Sequence, residues 1–420
     1  MEKERIYFVI DMKSFFASVE CAERGLDPFK VNLVVADPER SRGTVCLAIT
    51  PRMKELGIKN RCRMYEIPDN VKYIVAKPRM KKYIKYASEI YEIYLNYIDK
   101  QDIHVYSIDE CFIDATDYLK IYNLSARDFA KLLMREIDEK LHVPSSAGIG
   151  TNMFLAKVAL DITAKHSPDR IGYLDEELFK KTLWHHRPIT DFWQISTGTE
   201  ERLKKYNIID MCGIAHFNED ILYKTFGVNA ELLIDHAWGR ETCTIADIKN
   251  YKTKAKSISS SQILPCNYSF DDAKIVMLEM VQNGCYDLMR QGYVTRNFRL
   301  YVSYGDTHGD GDAGTTRMVE TTNLYNTIYP YAIKLFDKFA DKSRPIRKVG
   351  YDFLDLTLDT AVQFDFFSDN VRVEKEKRLV KSVITLQDKY GKNAVLKGLD
   401  LCKNSTQVER NRMIGGHNGG

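Results

Sequence analysis

The feature that most constrains the fold is an alternation of short apolar runs with helix-like segments over the first 165 residues. Residues 6–10 form an apolar run that ends at Asp11, and SFFASVECAERG follows at once with a helical period. Further strand-like runs are VNLVVA from Val31, TVCLAIT from Thr44, YIVAKP from Tyr73, HVYSIDECFID from His104 and SSAGIGT from Ser145. Because alternating strands and helices pack as a sheet covered by helices, the sequence predicts an α/β unit with a mixed sheet.

Two later parts of the chain have a different texture. Residues 192–239 read as short helices without strand-like alternation, which predicts a small helical unit. After a polar hinge, YKTKAKSISSS, the strands NFRLYVSYG and DFLDLTL with two intervening helical segments predict a second α/β unit. Residues 251–350 carry 14 Lys plus Arg against 10 Asp plus Glu, a local balance of +4. A basic surface is therefore expected there.

Composition sets limits on the class of protein. A chain of 420 residues with 44% hydrophobic residues is expected to fold into two to four domains, and its net charge of +3 does not by itself indicate nucleic acid. The nine cysteines are scattered and never spaced as C-x-x-C, which argues against a disulfide framework and a zinc site and predicts reduced thiols in a cytosol. No apolar run approaches 18 residues, so neither a signal peptide nor a membrane span is expected.

Adjacent carboxylates, Asp109 and Glu110, interrupt what otherwise reads as a buried strand, HVYSIDECFID. Such a pair either reaches solvent at a bend or holds a cation, because a buried unpaired carboxylate is costly. Asp11 ends another strand, so a compact sheet could bring three carboxylates to one edge. Divalent cations would keep them ionised, and a pair of metal ions about 4 Å apart suits phosphoryl transfer. The residues alone leave both interpretations open.

Three ordered motifs carry a resemblance to a known family. IDMKSFFASVE at residues 10–20, YSIDECFID at 106–114 and AGIGTNMFLAKVALDITAKHSPDRI at 147–171 resemble, in order and spacing, the Y-family translesion DNA polymerases. The resemblance covers nearly the whole chain. In the tail, LQDKYGKNAVLKG and RNRMIGGH look similar to the bacterial UmuC-like branch, DNA polymerases IV and V.

The resemblance implies a multidomain α+β and α/β fold of the right-hand polymerase type. A ferredoxin-like palm would span 1–19 and 74–165, fingers 20–73, a helix-hairpin-helix-like thumb 166–240, an α/β little finger 252–359 and a tail 360–420. The implied enzyme is a monomeric, cytoplasmic DNA-directed DNA polymerase of the SOS response to DNA damage. It would add deoxynucleotides to a primer 3′-hydroxyl on primer–template DNA, in error-prone translesion synthesis.

The resemblance also implies the site residues. Asp11, Asp109 and Glu110 would be catalytic and, with the main-chain carbonyl of Met12, would hold two Mg²⁺ ions. One ion would help to deprotonate the primer hydroxyl, and the other would neutralise the triphosphate and the leaving pyrophosphate.

Nucleotide-binding residues carry over from the same motifs. Phe16 matches a steric gate against a 2′-hydroxyl, with a core helix residue as the alternative. Ser14 and Phe15 would offer backbone N–H groups to the triphosphate at a helix start. Lys165 matches a triphosphate lysine, with an ordinary exposed lysine as the alternative.

The fingers depart from the family pattern. Pro51 and Lys54 stand where much of the family has a tyrosine and an arginine for the phosphates. Lysine keeps the charge but loses the bidentate fork, so the phosphate grip is expected to be looser or to rely on Thr50 and Arg52.

The two DNA-contacting parts also differ from the family or stay ambiguous. Gln194-Ile195-Ser196 replaces a Gly-Ile-Gly hairpin, and a reshaped hairpin is expected because only glycine adopts positive φ freely. Arg296 and Arg299 would point to opposite faces of a strand, so only one could meet a phosphate unless a bulge intervenes.

A glutamine- and phenylalanine-rich segment in the tail, Gln363-Phe364-Asp365-Phe366-Phe367, resembles the clamp-binding peptides of bacterial polymerases. It predicts docking onto the replicative sliding clamp. The alternative is that the rings pack back on the little finger or on the following helix.

Two rival functions belong to other classes. A different palm-fold enzyme, such as a nucleotidyl cyclase, would not need the basic second α/β unit. A non-catalytic DNA-bound scaffold would have little reason to keep Asp11, Asp109, Glu110, Phe16 and Lys165 together.

Overall fold

The computed structural model describes residues 5–39, 43–253, 256–306, 310–360 and 370–419. The chain divides into two compact units, Met1–Tyr251 and Lys252–Gly419. Within the described ranges, no helix has both the length and the apolar character that crossing a membrane requires.

The first unit contains the predicted alternation of strands and helices. Its strands are β1 (Tyr7–Met12), β2 (Leu33–Val35), β3 (Ala48–Ile49), β4 (Ile74–Ala76), β5 (Ile103–Val105), β6 (Glu110–Asp114), β7 (Ser145–Gly150) and β8 (Ile171–Leu174). Its α-helices are α1 (Phe15–Ala22), α2 (Pro51–Glu55), α3 (Met80–Leu95), α4 (Tyr118–Tyr122), α5 (Ala126–Leu141), α6 (Met153–Val158), α7 (Glu176–Leu183), α8 (Thr197–Lys204), α9 (Met211–Ala215), α10 (Glu219–Phe226), α11 (Asn229–Trp238) and α12 (Ile245–Asn250).

The main sheet has the strand order β5-β6-β1-β7-β8. Strand β1 lies antiparallel to both β6 and β7, and β7 runs parallel to β8. Successive residues of β1 face opposite sides: the ring of Phe8 contacts Phe129 of α5 at 5.8 Å, whereas Val9 joins a cluster that includes Ala156 of α6. Both faces of β1 are therefore covered, which explains its continuous apolar sequence.

The segment HVYSIDECFID is not one strand, as its sequence suggested. It forms a hairpin in which β5 pairs antiparallel with β6, with Val105 opposite Cys111. The N–H groups of Tyr106 and Ser107 both donate to the carbonyl of Glu110, at 3.0 and 3.1 Å. Asp109 therefore lies in a turn, and Glu110 begins the second strand.

Two expected domain limits do not coincide with the sheets. Strand β8 belongs to the main sheet, which thus extends to Leu174, although the helical unit was expected from residue 166. Strand β4 pairs with β2 in the smaller sheet of order β3-β2-β4, although residue 74 was expected to begin the palm. Short apolar strands are the same in composition whichever sheet they join, so the sequence does not fix these limits.

The helical part, α7 to α11, has its own core, which includes Phe179, Phe192 and Leu203. The hairpin before α8 keeps the conformation for which glycine is suited: Gln194 has φ 68° despite its side chain. Ser196 caps α8 by accepting a hydrogen bond from the N–H of Thr199 at 3.2 Å. A positive φ at a residue with a side chain typically costs of order 1 kcal/mol. The expected reshaping of the hairpin relative to the family stays a prediction.

The second unit begins with the element order βαββαβ along the chain and ends in a tail. Its elements are β9 (Ile258–Tyr268), α13 (Phe270–Gln291), β10 (Tyr293–Tyr304), β11 (Gly311–Thr322), α14 (Tyr325–Phe339), β12 (Ile346–Leu354), β13 (Thr357–Leu358), α15 (Asn370–Tyr390), α16 (Gln407–Arg410), β14 (Met413–Ile414) and β15 (His417–Asn418). The sheet order is β11-β10-β12-β9. Of these elements, the sequence had predicted α13, β10, α14 and β12. Strand β9 begins inside the segment that we interpreted as a hinge.

One face of this second sheet is covered and the other is open. Phe298, Leu300 and Val302 of β10 pack in a core with α13 and α14. The β10–β11 register shifts between Thr295 and Asn297. This is the bulge that the sequence analysis named as the condition for both arginines to be available on one side. As a result Arg296 and Arg299 are both exposed.

The tail of the second unit is fixed to α13 by a buried carboxylate. Glu279 is fully buried and accepts hydrogen bonds from the Thr406 hydroxyl at 2.6 Å, the Thr406 N–H at 3.0 Å and the Ser405 hydroxyl at 2.5 Å. Arg410 Nη1 lies 3.6 Å from the same carboxylate. A buried charge needs such partners, so this network holds the end of the tail against α13.

Candidate active site

Two carboxylates face each other on adjacent central strands. Asp11 of β1 is the register partner of Glu110 of β6. Because side chains alternate along a strand, Asp11 lies on the same face as Val9, and Glu110 on the same face as Phe112, which is the face covered by α6. Like charges directly opposite one another in a sheet are destabilising. A nearby cation would remove this repulsion between Asp11 and Glu110.

Asp109 is fixed beside this pair by the hairpin turn. The N–H of Met12 donates to the carbonyl of Asp109 at 3.0 Å, which ties the turn to the end of β1. The Ser107 hydroxyl donates to Asp109 Oδ1 at 2.6 Å. The structure thus brings together the three acidic residues that the sequence singled out.

Burial and neighbouring charge raise the pKa of two of these carboxylates, Asp11 and Glu110. Burial, followed by the charges of Asp109 and Glu110, raises the pKa of Asp11 to about 8. Burial also raises the pKa of Glu110, and Lys157 offsets only part of that effect. Burial and mutual repulsion together favour either protonation or a bound cation.

The donor set fits a hard divalent cation. Its side chains supply carboxylate oxygens alone, the ligands that Mg²⁺ prefers. Glu110 is buried, so its charge needs a cationic partner there. In the described parts of the chain, no three Asp, Glu, His or Cys side chains are gathered tightly enough to enclose an ion as they stand.

Removing the buried charge is expected to stabilise the metal-free protein in a pH-dependent way. Between about pH 4 and pH 8 the folded chain keeps a proton on Asp11 that the unfolded chain has lost, so its stability falls as pH rises through that window. Asp11→Asn should therefore raise the melting temperature in EDTA, with a gain that is small near pH 5 and larger at pH 8.5. We expect a difference of at least about 1.4 kcal/mol between those two pH values.

The measurement is thermal unfolding of both proteins in EDTA across this pH range. Asp138→Asn on α5, which faces solvent, provides the matched control and should show no such trend. A gain from Asp11→Asn that is equal at both pH values would contradict the raised pKa.

A buried lysine, missed in the sequence analysis, completes the acidic cluster. Lys157 Nζ lies 2.8 Å from Glu110 Oε1 and 3.0 Å from Asp161 Oδ1. The helix that carries it sits very close to β7: a Cβ at Gly148 or Gly150 would come within about 2.2 Å of its backbone. Two glycines in AGIGTN are therefore needed for this approach. The available sequence signal was the spacing Lys-x-x-x-Asp in LAKVALD.

A cleft of about 200 Å³ next to Asp11 gathers several cations. Lys54 and Lys165, both singled out from the sequence, line it together with Ser14, Pro51, Lys13, Ser146, Leu160 and Asp161. Partial burial and then the nearby Arg170, Lys54 and Lys165 lower the pKa of Lys13, although Asp11 opposes them. Several lysines beside a carboxylate cluster could bind a polyanion with its metal ion: the lysines would contact the anion, and the carboxylates would contact the metal. Lys13 was missed because a single lysine after Asp11-Met12 carries no pattern.

Helix α1 begins at the rim of this cleft. Ser14 has a left-handed backbone, φ 49°, and its side chain makes no capping hydrogen bond. The first turn also lacks acidic residues. Its N–H groups and the helix dipole therefore favour an anion there, as predicted for Ser14 and Phe15.

Phe16 lies on the side of α1 that is not part of the core. The buried residues of this helix include its neighbours Phe15 and Ala17 but not Phe16. Its ring stacks on Tyr83 with centroids 4.6 Å apart and planes 22° apart. The hydroxyl of Tyr83 donates to Glu20 at 2.8 Å, and this anchors the stack.

Other sequence-predicted residues lie apart from the cleft or outside the described ranges. Thr50 is buried, and its hydroxyl donates to the carbonyl of Val31 at 2.8 Å, so it supports the smaller sheet. Arg52 pairs with Glu55 at 3.1 Å. The residues predicted to bind a clamp lie outside the described residues; they are Gln363, Phe364, Phe366 and Phe367.

Comparison with protein families finds two matches along the chain. Residues 10–161 match the impB/mucB/samB family, and residues 255–366 match the C-terminal domain of the same family. The first match contains the carboxylates and most of the cleft.

Individual relatives match almost end to end. A DNA polymerase IV 2 of Bacillus subtilis (strain 168) is 30% identical over 99% of this chain and all of its own length. A candidate UV-damage repair protein of the same organism, UvrX, is 29% identical over 97% of this chain and 96% of its own. Among solved structures, the Y-family DNA polymerase chimera Dbh-Dpo4(243-245)-Dbh matches with a TM-score of 0.65 over 84% of this chain and 99% of its own, at 20% identity. That likeness confirms the predicted multidomain polymerase fold.

Proposed function

Because this chain belongs to the impB/mucB/samB family of Y-family translesion DNA polymerases, we propose that the cluster of Asp11, Asp109 and Glu110 is its catalytic centre. The chain is a DNA-directed DNA polymerase. The observation that carries the residue assignment is the register pairing of Asp11 with Glu110 beside a cleft rich in lysine. The experiment is extension of a labelled primer by the full chain, which should require the complementary deoxynucleotide and a divalent cation.

The carboxylates are placed to hold metal, and Mg²⁺ is the cation that we propose. Asp11, Asp109, Glu110 and the carbonyl of Met12 would be its ligands. When bound, a pair of such ions would neutralise charge on the attacking and leaving oxygens of nucleotidyl transfer. The protein contributes position: the β1–β6 pairing fixes Asp11 against Glu110, and the turn fixes Asp109.

The cleft is the proposed triphosphate site. Lys13, Lys54 and Lys165 would offer positive charge to the phosphates, and the N–H groups of Ser14 and Phe15 would offer hydrogen bonds. The Thr50 hydroxyl already donates to the carbonyl of Val31, and the Thr50 carbonyl accepts from the Lys54 N–H at 3.2 Å. Thr50 is therefore proposed to support the start of α2 rather than to contact phosphate. Lysine at position 54 binds phosphate less specifically than arginine would, and Lys13 would add a further positive charge to the triphosphate site.

The domain roles are also proposals. The main sheet with α5 and α6 would be the palm, the smaller sheet with α2 the fingers, and α7 to α11 the thumb. The second unit would be the little finger. We propose that the enzyme acts as a monomer on primer–template DNA.

The open face of the second sheet offers a DNA-binding surface. The Tyr301 ring lies across Gly350, where a Cβ would come within 2.3 Å of it. Lys348 Nζ lies 5.5 Å and the Arg299 guanidinium 6.0 Å from the centre of that ring. These two cations beside the Tyr301 ring could each contact a phosphate of the DNA backbone.

Replacing Arg299 or Lys348 with alanine is expected to weaken DNA binding about equally on all sequences. Each change should lower the slope of log affinity against log salt by about 1, because one phosphate contact is lost. Fluorescence anisotropy at several salt concentrations gives the slope. Lys334→Ala on α14, on the helical side of the sheet, is the control; an unchanged slope in both test variants would remove this face from the DNA interface.

Docking onto a sliding clamp is proposed for the QFDFF segment, on sequence alone. Replacing Gln363, Phe366 and Phe367 together with alanine should eliminate clamp-stimulated synthesis. Burial of each phenylalanine ring in the clamp would stabilise the complex by about 1.5 to 3 kcal/mol, and the variant loses both contributions. Single-nucleotide insertion on a bare primer should not change. Clamp stimulation that survives the triple change would place the tether elsewhere.

A further inference from the structure

Lys157 is a charged side chain inside the carboxylate cluster, and the proposed reaction does not use it. It is 8% exposed, and its ammonium bridges Glu110 and Asp161. Glu110 is also 8% exposed, whereas the Asp161 side chain retains 34% of its exposure. The bridge therefore joins a buried proposed metal ligand to a carboxylate at the open side of the cleft.

The ammonium has two carboxylate partners. It lies 3.0 Å from Asp161 Oδ1, with hydrogen-bond geometry, and 2.8 Å from Oε1 of the buried Glu110. Because it keeps Asp161 as a partner, the ammonium can give up Glu110 to a metal ion without becoming an unpaired buried charge.

Local structure keeps the lysine in this position. Asp161 lies in a π-helical turn, Ala159–Thr163, which follows α6 directly. Such turns are often found at functional sites, since they redirect a side chain within a continuous helix. Here the turn places Asp161 in the cleft and four residues beyond Lys157.

We propose that Lys157 is an internal counter-ion that neutralises Glu110 when no divalent cation is bound, and that Asp161 retains the ammonium when a metal ion replaces it. This inference rests on the proposed function, because it takes Glu110 as a metal ligand. Lys157 then competes with metal for Glu110, and Asp161 weakens that competition. In the absence of nucleotide the pair keeps metal affinity low, and a triphosphate that brings its own metal ion overcomes it.

The test is binding of Mn²⁺ to the full chain without DNA or nucleotide. The electron paramagnetic resonance signal of free Mn²⁺ measures the amount that is not bound and so gives the Kd. Lys157→Met keeps the length of the side chain but removes the competing charge, so the Kd should fall at least about tenfold. Asp161→Asn leaves the lysine with Glu110 as its sole carboxylate partner, so the Kd should rise by a similar factor. Lys131→Met, which breaks a surface pair with Asp169 at 3.2 Å, is the control and should leave the Kd unchanged.

The two effects have opposite signs, which a general loss of packing would not produce. Lys157→Met with an unchanged or higher Kd, in a protein that circular dichroism shows to be folded, would overturn the proposal. If that variant does not fold, an unchanged or lower Kd in Asp161→Asn would overturn it instead. Failure of the proposed function looks different: the wild type would then bind Mn²⁺ no better than Glu110→Gln.

Discussion

Alanine at Asp109 or Glu110 is expected to abolish primer extension, a loss of at least about a thousandfold, while DNA binding stays nearly unchanged. Asp109 is held by the hairpin turn, and Glu110 faces Asp11 across the β1–β6 pair, so each variant removes one oxygen donor from a fixed cluster. The surfaces proposed to hold the duplex lie elsewhere in the chain. Extension should therefore fail at the chemical step rather than at DNA binding.

Single-turnover extension in Mg²⁺ measures this loss, and anisotropy with labelled primer–template measures binding. Glu139→Ala on α5, whose carboxylate is exposed and pairs with Arg135 at 3.8 Å, is the control and should extend normally. If either test variant retained substantial Mg²⁺-dependent extension, these carboxylates would not be the catalytic centre.

Phe16→Ala is expected to admit ribonucleotides. The Phe16 ring lies outside the core of α1 and is held against Tyr83, so its removal opens space without emptying a packed interior. Losing a steric clash with a 2′-hydroxyl should change discrimination by at least tenfold, or about 1.4 kcal/mol. Incorporation of deoxynucleotides should change much less.

The measurement is the ratio of kcat/KM for deoxy- and ribonucleotide, opposite the same template base. Tyr65→Ala, which removes an aromatic ring that is 59% exposed in the same unit, is the control and should keep the wild-type ratio. An unchanged ratio in Phe16→Ala would mean that the gate lies at another residue.

The sequence predicted the elements whose pattern is local. Apolar runs located β1 and β7, and helical periods located α13 and α14, because burial on one face leaves a period in the sequence. HVYSIDECFID was misread as one strand, since the turn at Asp109 contains no glycine or proline to mark it. Strand β9 was missed because an edge strand rich in serine resembles a linker.

The site was predictable where a family motif carried it. Asp11, Asp109 and Glu110 came from two such motifs, and the structure brings them together. The role of Lys157 depends on how closely α6 approaches β7, and that of Lys13 on a cleft lined by distant segments. Neither is a local property of the chain. Long-range proximity of this kind has no periodic signature in a single sequence.

The central claim is that this chain is a DNA polymerase whose chemistry depends on the Asp11, Asp109 and Glu110 cluster. The most direct measurement is nucleotide insertion by the full chain and by Glu110→Ala, side by side, on an undamaged template and on one with an abasic site. The account predicts that the wild type inserts deoxynucleotides on both templates in Mg²⁺ and on neither in EDTA, and that Glu110→Ala is inactive on both. Insertion by Glu110→Ala at the wild-type rate, or no insertion by the wild type on either template, would contradict it.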